Sequence, residues 1–380
     1  MFTTLEKYVF PAVIASFIIG TIGYVFYPLD YFKKKSGAMG LKSTRCPGLL
    51  NDGNTCYLNS ALQSLASCQN FVAFCFAMKS YSPLAGKLSS IFSMLNTPST
   101  DIVSAASVLQ ECSKRGWKHI YRENDVYELL QIIFELLSDE FTVNSLIDIN
   151  GLTCHIPNFN NGVYTRAVQY CRDQVRVANI PNTHKLVFSG QLASRTRCTF
   201  CQATSDWRVE TFNSISLPSL RLAHSLEMLV EEYFKPEFID DLYCSTCTTN
   251  RRVQREHRLI KLPLCLCFQI QRTHWVPSGR SFKSDRHLLF QHVINLSLFC
   301  FYAKPDAIYV LKSVVEHRGN INHGHFISYR WLNEHRVWQF ASDEHTNIVN
   351  WETVKNSSCY LLFYERISKP QINSRFYSYL

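Results

Sequence analysis

The chain predicts an α+β fold, with a helical first half, a strand-rich second half and a cleft between two subdomains. Two observations carry this prediction. From Pro47 to about Asn150 apolar residues recur at helical spacing, most clearly at Val126, Leu129, Leu130, Ile133, Phe134 and Leu137. From about residue 185 the chain turns to short runs rich in β-branched and aromatic residues: Lys185–Ser189, Ile308–Val315, His325–Tyr329 and Cys359–Tyr364. Helices first and strands later are the order of an α+β protein, in which one layer covers the other. Residues 150–184 follow neither period, and no internal repeat is visible.

Composition narrows the function classes. At 380 residues the chain holds two or three structural units, and 46% hydrophobic with 13% aromatic content argues against disorder over most of it. The net charge of +9 is spread out, with no basic block interleaved with aromatics, which speaks against a nucleic-acid partner. Fifteen cysteines is an odd number, and Cys265, Cys267 and Cys300 sit singly inside apolar runs. That usage fits a reducing compartment with thiols and metal ligands rather than a secreted disulfide scaffold.

The N-terminus reads as a membrane anchor. Tyr8 to Leu29 contains no charged residue. As a helix it would be ~33 Å long, enough for a hydrocarbon core of roughly 30 Å. Tyr24, Tyr27 and Tyr31 lie toward its C-terminal end, and Lys33, Lys34, Lys35, Lys42 and Arg45 follow. The positive flank places the body of the chain in the cytosol. A cleaved signal peptide would have a basic leading region and a shorter apolar core, and the thiol count also argues against export. Later apolar runs are too short for a second span.

Within the helical half, residues 48–60 read GLLNDGNTCYLNS. Leu58, Ala61, Leu62 and Leu65 have the spacing of one helical face, so Cys56 falls where a glycine-containing loop becomes a helix. Unpaired N–H groups and the positive end of the helix dipole favour a thiolate there. A buried small hydrophobe is the competing reading of such a cysteine. In the strand-rich half, Cys198-x-x-Cys201 and Cys244-x-x-Cys247 form two knuckles whose four thiolates would close a tetrahedral Zn²⁺ shell. A closed shell has no open position for substrate, so this zinc would be structural; chance pairs and redox chemistry are the alternatives.

A cysteine nucleophile needs a base and an orienting group. His325 lies in HGHFISYR (323–330), next to Gly324, and WQFASD (338–343) is a further strand-like run ending in Ser342 and Asp343. Antiparallel pairing of the two runs would set Ser342 or Asp343 against the imidazole and fix its tautomer.

The Cys56 segment, ENDVYELL (123–130), VFSGQLASRTRCTFCQATSDWRVETFNSISLP (187–218), HGHF and WQFASD resemble the ubiquitin-specific proteases, in the same order, over about residues 46–366. The resemblance implies a papain-like fold of thumb, palm and zinc-ribbon fingers behind the single N-terminal transmembrane helix. It also implies cysteine-dependent cleavage of the isopeptide bond after the C-terminal glycine of ubiquitin. It makes Cys56 the nucleophile, His325 the general base and Ser342 the third member, where most relatives have Asn or Asp; Asp343 supports them. It makes Asn51 the side-chain donor of the oxyanion hole. Asp125 and Glu128 match acidic positions that meet the arginine-bearing ubiquitin tail; Asp125-x-x-Glu128 before an apolar stripe is equally a helix-capping pair.

The anchor, the serine and the ending SSCYLLFYER (357–366) further resemble a mitochondrial outer-membrane branch of the family. That implies ubiquitinated membrane proteins as substrates and opposition to mitophagy. The expected layout is a short tail (1–7), a span (8–29), a basic linker (30–45), a catalytic domain (46–366, with fingers at about 187–262) and a C-terminal tail (367–380). A catalytically silent, membrane-tethered ubiquitin-binding module is the alternative function. A papain-like endopeptidase would leave the paired knuckles unexplained.

Overall fold

The computed structural model describes residues 45–117, 124–153, 186–219, 223–275, 279, 281–302, 307–320 and 323–367, with backbone alone over 141–153. The expected span (8–29), the linker up to residue 44 and the tail beyond Ile367 lie outside the described residues. Among the described residues no single helix is long and apolar enough to cross a membrane. The described residues form one compact unit.

Its first part is helical. After β1 (Gly48–Leu49) come α1 (Cys56–Leu65), α2 (Gln69–Met78), α3 (Pro83–Leu95), β2 (Ile102–Val103), α4 (Ala106–Lys114) and α5 (Val126–Thr153). α3 starts as its sequence directs: Ser82 accepts from the Ala85 N–H at 2.9 Å, and Pro83 follows where a missing donor does no harm. The α5 stripe is fully buried at all six expected positions.

α1 departs from the one-sided helix that its apolar spacing predicts. All ten of its residues are buried. Its polar side chains tolerate this because they find partners: Gln63 Nε2 donates to the Pro47 carbonyl at 2.9 Å, and Ser64 Oγ accepts from Ser313 Oγ at 2.9 Å. The helix is therefore a central rod, packed on α5 on one side and on the main sheet on the other.

The strand half begins with β3 (Gly190–Cys198), β4 (Arg208–Phe212), β5 (Ile215–Pro218), α6 (Leu226–Phe234), β6 (Glu237–Cys244), β7 (Thr249–Lys261) and β8 (Cys265–Gln271). It continues with β9 (Thr273–Trp275), β10 (Ser281–Lys283), β11 (Val293–Asn295), β12 (Ile308–Gly319) and β13 (Gly324–Leu332). It closes with β14 (Val337–Ser342), β15 (His345–Val349), α7 (Trp351–Lys355) and β16 (Cys359–Arg366). Two larger sheets result. A four-stranded sheet, β4-β3-β7-β6, carries the knuckles, and an eight-stranded sheet runs β15-β14-β13-β12-β16-β8-β5 with β11 beside β12. β5 and α6, although they fall inside the 187–262 stretch, belong to the larger body.

Alternation along the central strands divides the core. Val315, Phe326, Leu361 and Phe363 join the helical core, while Val314, Ile327, Leu362 and Tyr364 join a second core on the opposite face with α6. The run Lys185–Ser189 is not a strand where it is described: Leu186–Ser189 is a turn, with the Ser189 N–H donating to the Leu186 carbonyl at 2.8 Å. Its apolar character serves burial instead. Phe188 packs among Phe71, Phe134 and Phe363, with ring centroids 5.4, 4.6 and 6.2 Å away.

Candidate active site

α1 begins at Cys56, so the thiol stands in the first turn of a helix, and the residue is only 7% exposed. The loop before it closes on itself. Asn51 Oδ1 accepts from the Thr55 N–H at 3.0 Å and from Thr55 Oγ1 at 3.2 Å, and Thr55 Oγ1 accepts from the Asp52 N–H at 3.1 Å. Gly53 (φ 67°) and Asn54 (φ 60°) take the left-handed turn that glycine and asparagine tolerate best.

The loop is stitched to the far end of the chain. Asn51 Nδ2 donates to Asp343 Oδ2 at 2.8 Å, and Asn59 Nδ2 donates to Asp343 Oδ1 at 2.8 Å. The Asn51 N–H donates to Glu344 Oε1 at 2.9 Å, and the Leu49 N–H donates to the Asp343 carbonyl at 2.8 Å. Asp343 and Glu344 form the two-residue turn between β14 and β15, where Ser342 pairs with His345. Gly48 permits the contact: a Cβ there would lie 2.2 Å from the Glu344 carbonyl oxygen.

His325 lies on β13, against which α1 packs directly, and Cys56 and the neighbouring Phe326 share one apolar cluster. β14 runs antiparallel beside β13 with Ala341 opposite Ser328, and Ser342 one residue on brings its Oγ to 2.8 Å from His325 Nε2. Asp343 Oδ2 is 3.9 Å from the same nitrogen. Ser342 thus takes the hydrogen-bonding place beside the imidazole. Asp343 lies just beyond that range and takes two amide donors instead. With Nε2 committed to the hydroxyl, Nδ1 is the ring nitrogen on the opposite side.

The structure also sorts the acidic pair. Asp125 Oδ1 accepts from the Tyr127 N–H (2.7 Å) and the Glu128 N–H (3.2 Å), capping α5, and Oδ2 accepts from Tyr360 OH (2.8 Å). Burial first, and the Asp125 charge next, push the Tyr360 phenol up, so it stays a donor. Glu128 is exposed on the first turn. A cleft of about 930 Å³ adjoins the loop before Cys56, lined by Asp52, Thr55, Leu58, Ala106, Leu109 and Trp117.

The four knuckle cysteines come together at the end of the smaller sheet, on the β3–β4 and β6–β7 turns. Their Sγ atoms all lie within 4.8 Å of one another, with Cys198–Cys247 at 3.9 Å and Cys201–Cys244 at 3.6 Å. A tetrahedron of sulfurs about 2.3 Å from a central ion has edges of about 3.8 Å, so the set fits a metal. The Cys201 N–H, ahead of that of Phe200, holds the Cys198 thiol down to about 6, while desolvation, ahead of the neighbouring thiols, pushes the Cys247 thiol up to about 12, so the four begin unequal and a metal would have to displace the remaining protons.

Two participants are not anticipated by the sequence reading. Asn59, three residues after Cys56 and hence on the same side of α1, carried a usable signal in its helical spacing. Glu344 carried none, because its role is to meet a loop 293 residues away.

Fold and site together describe a mixed α/β protein with a cysteine at a helix start and a His–Ser pair on the sheet beside it. The profile of the ubiquitin carboxyl-terminal hydrolase family matches residues 47–364, and the chain belongs to that family. It is a deubiquitinating cysteine hydrolase. It is 26% identical to ubiquitin carboxyl-terminal hydrolase 30 of Xenopus tropicalis, over 84% of this chain and 81% of that protein. It is 22% identical to the Homo sapiens protein of the same name, over 93% and 89%. Among solved structures it is similar to the SAGA Ubp8/Sgf11/Sus1/Sgf73 DUB module bound to ubiquitin aldehyde. That similarity has a TM-score of 0.67 at 21% identity, covering 94% of this chain and 76% of that one.

Proposed function

We propose that this deubiquitinase works through Cys56, His325 and Ser342 on the isopeptide bond after the C-terminal glycine of ubiquitin. The observation that carries the reading is the 2.8 Å contact between Ser342 Oγ and His325 Nε2, on the strand that packs against the helix starting at Cys56. His325 Nδ1 takes the thiol proton, and the sulfur attacks the carbonyl carbon. The resulting oxyanion draws on the Cys56 N–H and on the second N–H of the Asn51 amide, whose first is held by Asp343. His325 then gives its proton to the lysine amine, which leaves. Water, deprotonated by the same ring, hydrolyses the thioester. Ser342 accepts from Nε2–H and fixes the tautomer. Having no charge, it stabilises the imidazolium less than a carboxylate would, and Asp343 at 3.9 Å supplies part of that charge. Asp125 and Glu128 face the arginine-bearing ubiquitin tail, Asp125 doing so while capping α5.

Cys198, Cys201, Cys244 and Cys247 would hold Zn²⁺, the soft-ligand choice for four thiolates, and it would fix the two turns against each other. The catalytic domain spans 46–366 behind a span at 8–29 and a linker at 30–45. The basic flank supports a membrane anchor with the body of the chain in the cytosol, and the relatives named ubiquitin carboxyl-terminal hydrolase 30 support the mitochondrial outer membrane over the endoplasmic reticulum. There it would act on ubiquitinated membrane proteins and oppose mitophagy.

The test is a ubiquitin probe with a thiol-reactive C-terminus. Wild type forms an adduct and Cys56→Ala does not; an undiminished adduct with Cys56→Ala rejects the mechanism, and no adduct with wild type favours a silent binding module. Imaging the full chain against a form lacking residues 1–35 tests the anchor, which fails if both distribute alike.

A further inference from the structure

β12 is longer than its neighbour on one side. Its pairing with β16 ends at Glu316 opposite Cys359, whereas its pairing with β13 continues through His317–Phe326, Arg318–His325 and Gly319–Gly324. The last three residues of β12 and the first three of β13 therefore form a two-stranded ribbon that overhangs the sheet. His325 sits on that overhang. Two strands alone are marginal in water, and β12 carbonyls on the lost side need another donor.

Lys283, the last residue of β10, supplies it. Its ammonium donates to the His317 carbonyl at 2.8 Å and the Gly319 carbonyl at 2.7 Å, and lies 3.2 Å from Asp285 Oδ1. Its side chain is only 9% exposed. Three acceptors match the three N–H groups of an ammonium, and charge makes each bond stronger than a neutral one. The far end of this brace is fixed as well. The Ser284 N–H donates to the Arg272 carbonyl at 2.8 Å. Buried Arg272 donates to the carbonyls of Ser284 (3.0 Å), Arg286 (2.7 Å) and Cys359 (2.8 Å). The end of β10 is thus tied to the start of β16, the point where β12 loses its partner.

The geometry points to Lys283 as a positioning residue for the reaction: it replaces the missing strand along the β12 overhang and so holds His325 in register with Ser342. This rests on the reading of His325 as the base. His317 adds to the same alignment. Its ring packs, tilted by 32°, against Phe326 with centroids 4.5 Å apart, and a Cβ on Gly324 would lie 1.9 Å from its Nε2 and 2.8 Å from the Arg318 carbonyl oxygen, so glycine allows this close approach.

The experiment measures kcat and KM of the full-length chain on a ubiquitin C-terminal aminocoumarin amide, with a melting curve for each variant. Lys283→Met keeps the stem and removes the donors. It is expected to lower kcat at least tenfold with KM within about twofold of wild type, while Lys283→Arg, which retains donors for both carbonyls, recovers most of the rate. A kcat unchanged in Lys283→Met, or a Lys283→Arg as slow as Lys283→Met, overturns the proposal. If Lys283→Met loses its melting transition, Lys283→Gln, with donors for one carbonyl, must fall between wild type and inactive; a wild-type kcat there rejects the brace. Combining Lys283→Met with His325→Ala separates the two readings. An effect of Lys283→Met that persists undiminished without His325 rejects the brace alone, and a His325→Ala as active as wild type rejects the base itself.

Discussion

The two thiol sites of this protein are assembled in opposite ways. In the four-cysteine site each pair of ligands is three residues apart on one turn, and only the meeting of two turns of a small sheet is non-local. At Cys56 the preceding loop closes on itself, but every bond that ties it to the sheet is long-range: Asn51 to Asp343 spans 292 residues and Asn59 to Asp343 spans 284. A site built from short loops needs little chain ordering to pre-form. A site built across the whole domain exists only once the sheet is in register. The first is suited to holding a shape, and the second couples the geometry around Cys56 to the integrity of the fold.

This contrast can be broken by experiment. The largest effect should come from Cys56→Ala, which should abolish turnover and leave the melting temperature within a few degrees of wild type; a large loss of stability would make Cys56 chiefly a packing residue. Next, Cys198→Ser, or chelation of the zinc proposed for the four cysteines, should strip hydrogen-exchange protection from β3, β6 and β7 while the cores around α1 and α5 stay protected. Loss of protection everywhere would show that the two regions do not fold separately. In the catalytic region, Ser342→Ala should lower kcat/KM by about 10²-fold, the scale of a misoriented base, and Asp343→Ala by about tenfold. The reverse order would transfer the third role to Asp343.

A separate expected effect, on stability rather than rate, lies away from both sites. Burial among Trp331, Trp338 and Trp351, with nearby Lys312 adding to it, pushes His292 down to about 4. Its folded value lies below its unfolded value of roughly 6.5, so its contribution to stability is complete above that pH and is lost as pH falls toward 4. The loss amounts to about 3 kcal/mol at most, at about 1.4 kcal/mol per pH unit. Urea midpoints at pH 7 and pH 4.5 should converge in His292→Phe; an unchanged gap would assign acid sensitivity to other groups.

The local features were legible because they depend on residues a few positions apart. The α5 stripe from Val126 to Leu137 needs only the helical period, the paired knuckles need only their spacing, and the helix start at Cys56 needs only a loop followed by periodic leucines. The roles proposed for Asn51, His325 and Ser342 come from the resemblance to a family. The same local reading misjudged Lys185–Ser189, whose apolar residues look like a strand but place Phe188 in an aromatic cluster. It also made α1 one-sided, because sequence does not show that Gln63 and Ser64 find buried partners.

The amino-acid sequence by itself determined the helical first half, the strand-rich second half, the four-cysteine set and the placing of a cysteine at a helix start. All of these follow from local backbone periodicity and short spacings. Only the tertiary structure put Ser342 Oγ 2.8 Å from the imidazole with Asp343 at 3.9 Å, gave Asp343 to Asn51 and Asn59, and set Lys283 along the β12 overhang. Those contacts depend on strand register and on where β16 stops pairing with β12, and register is set by the packing of the whole sheet rather than by neighbours along the chain.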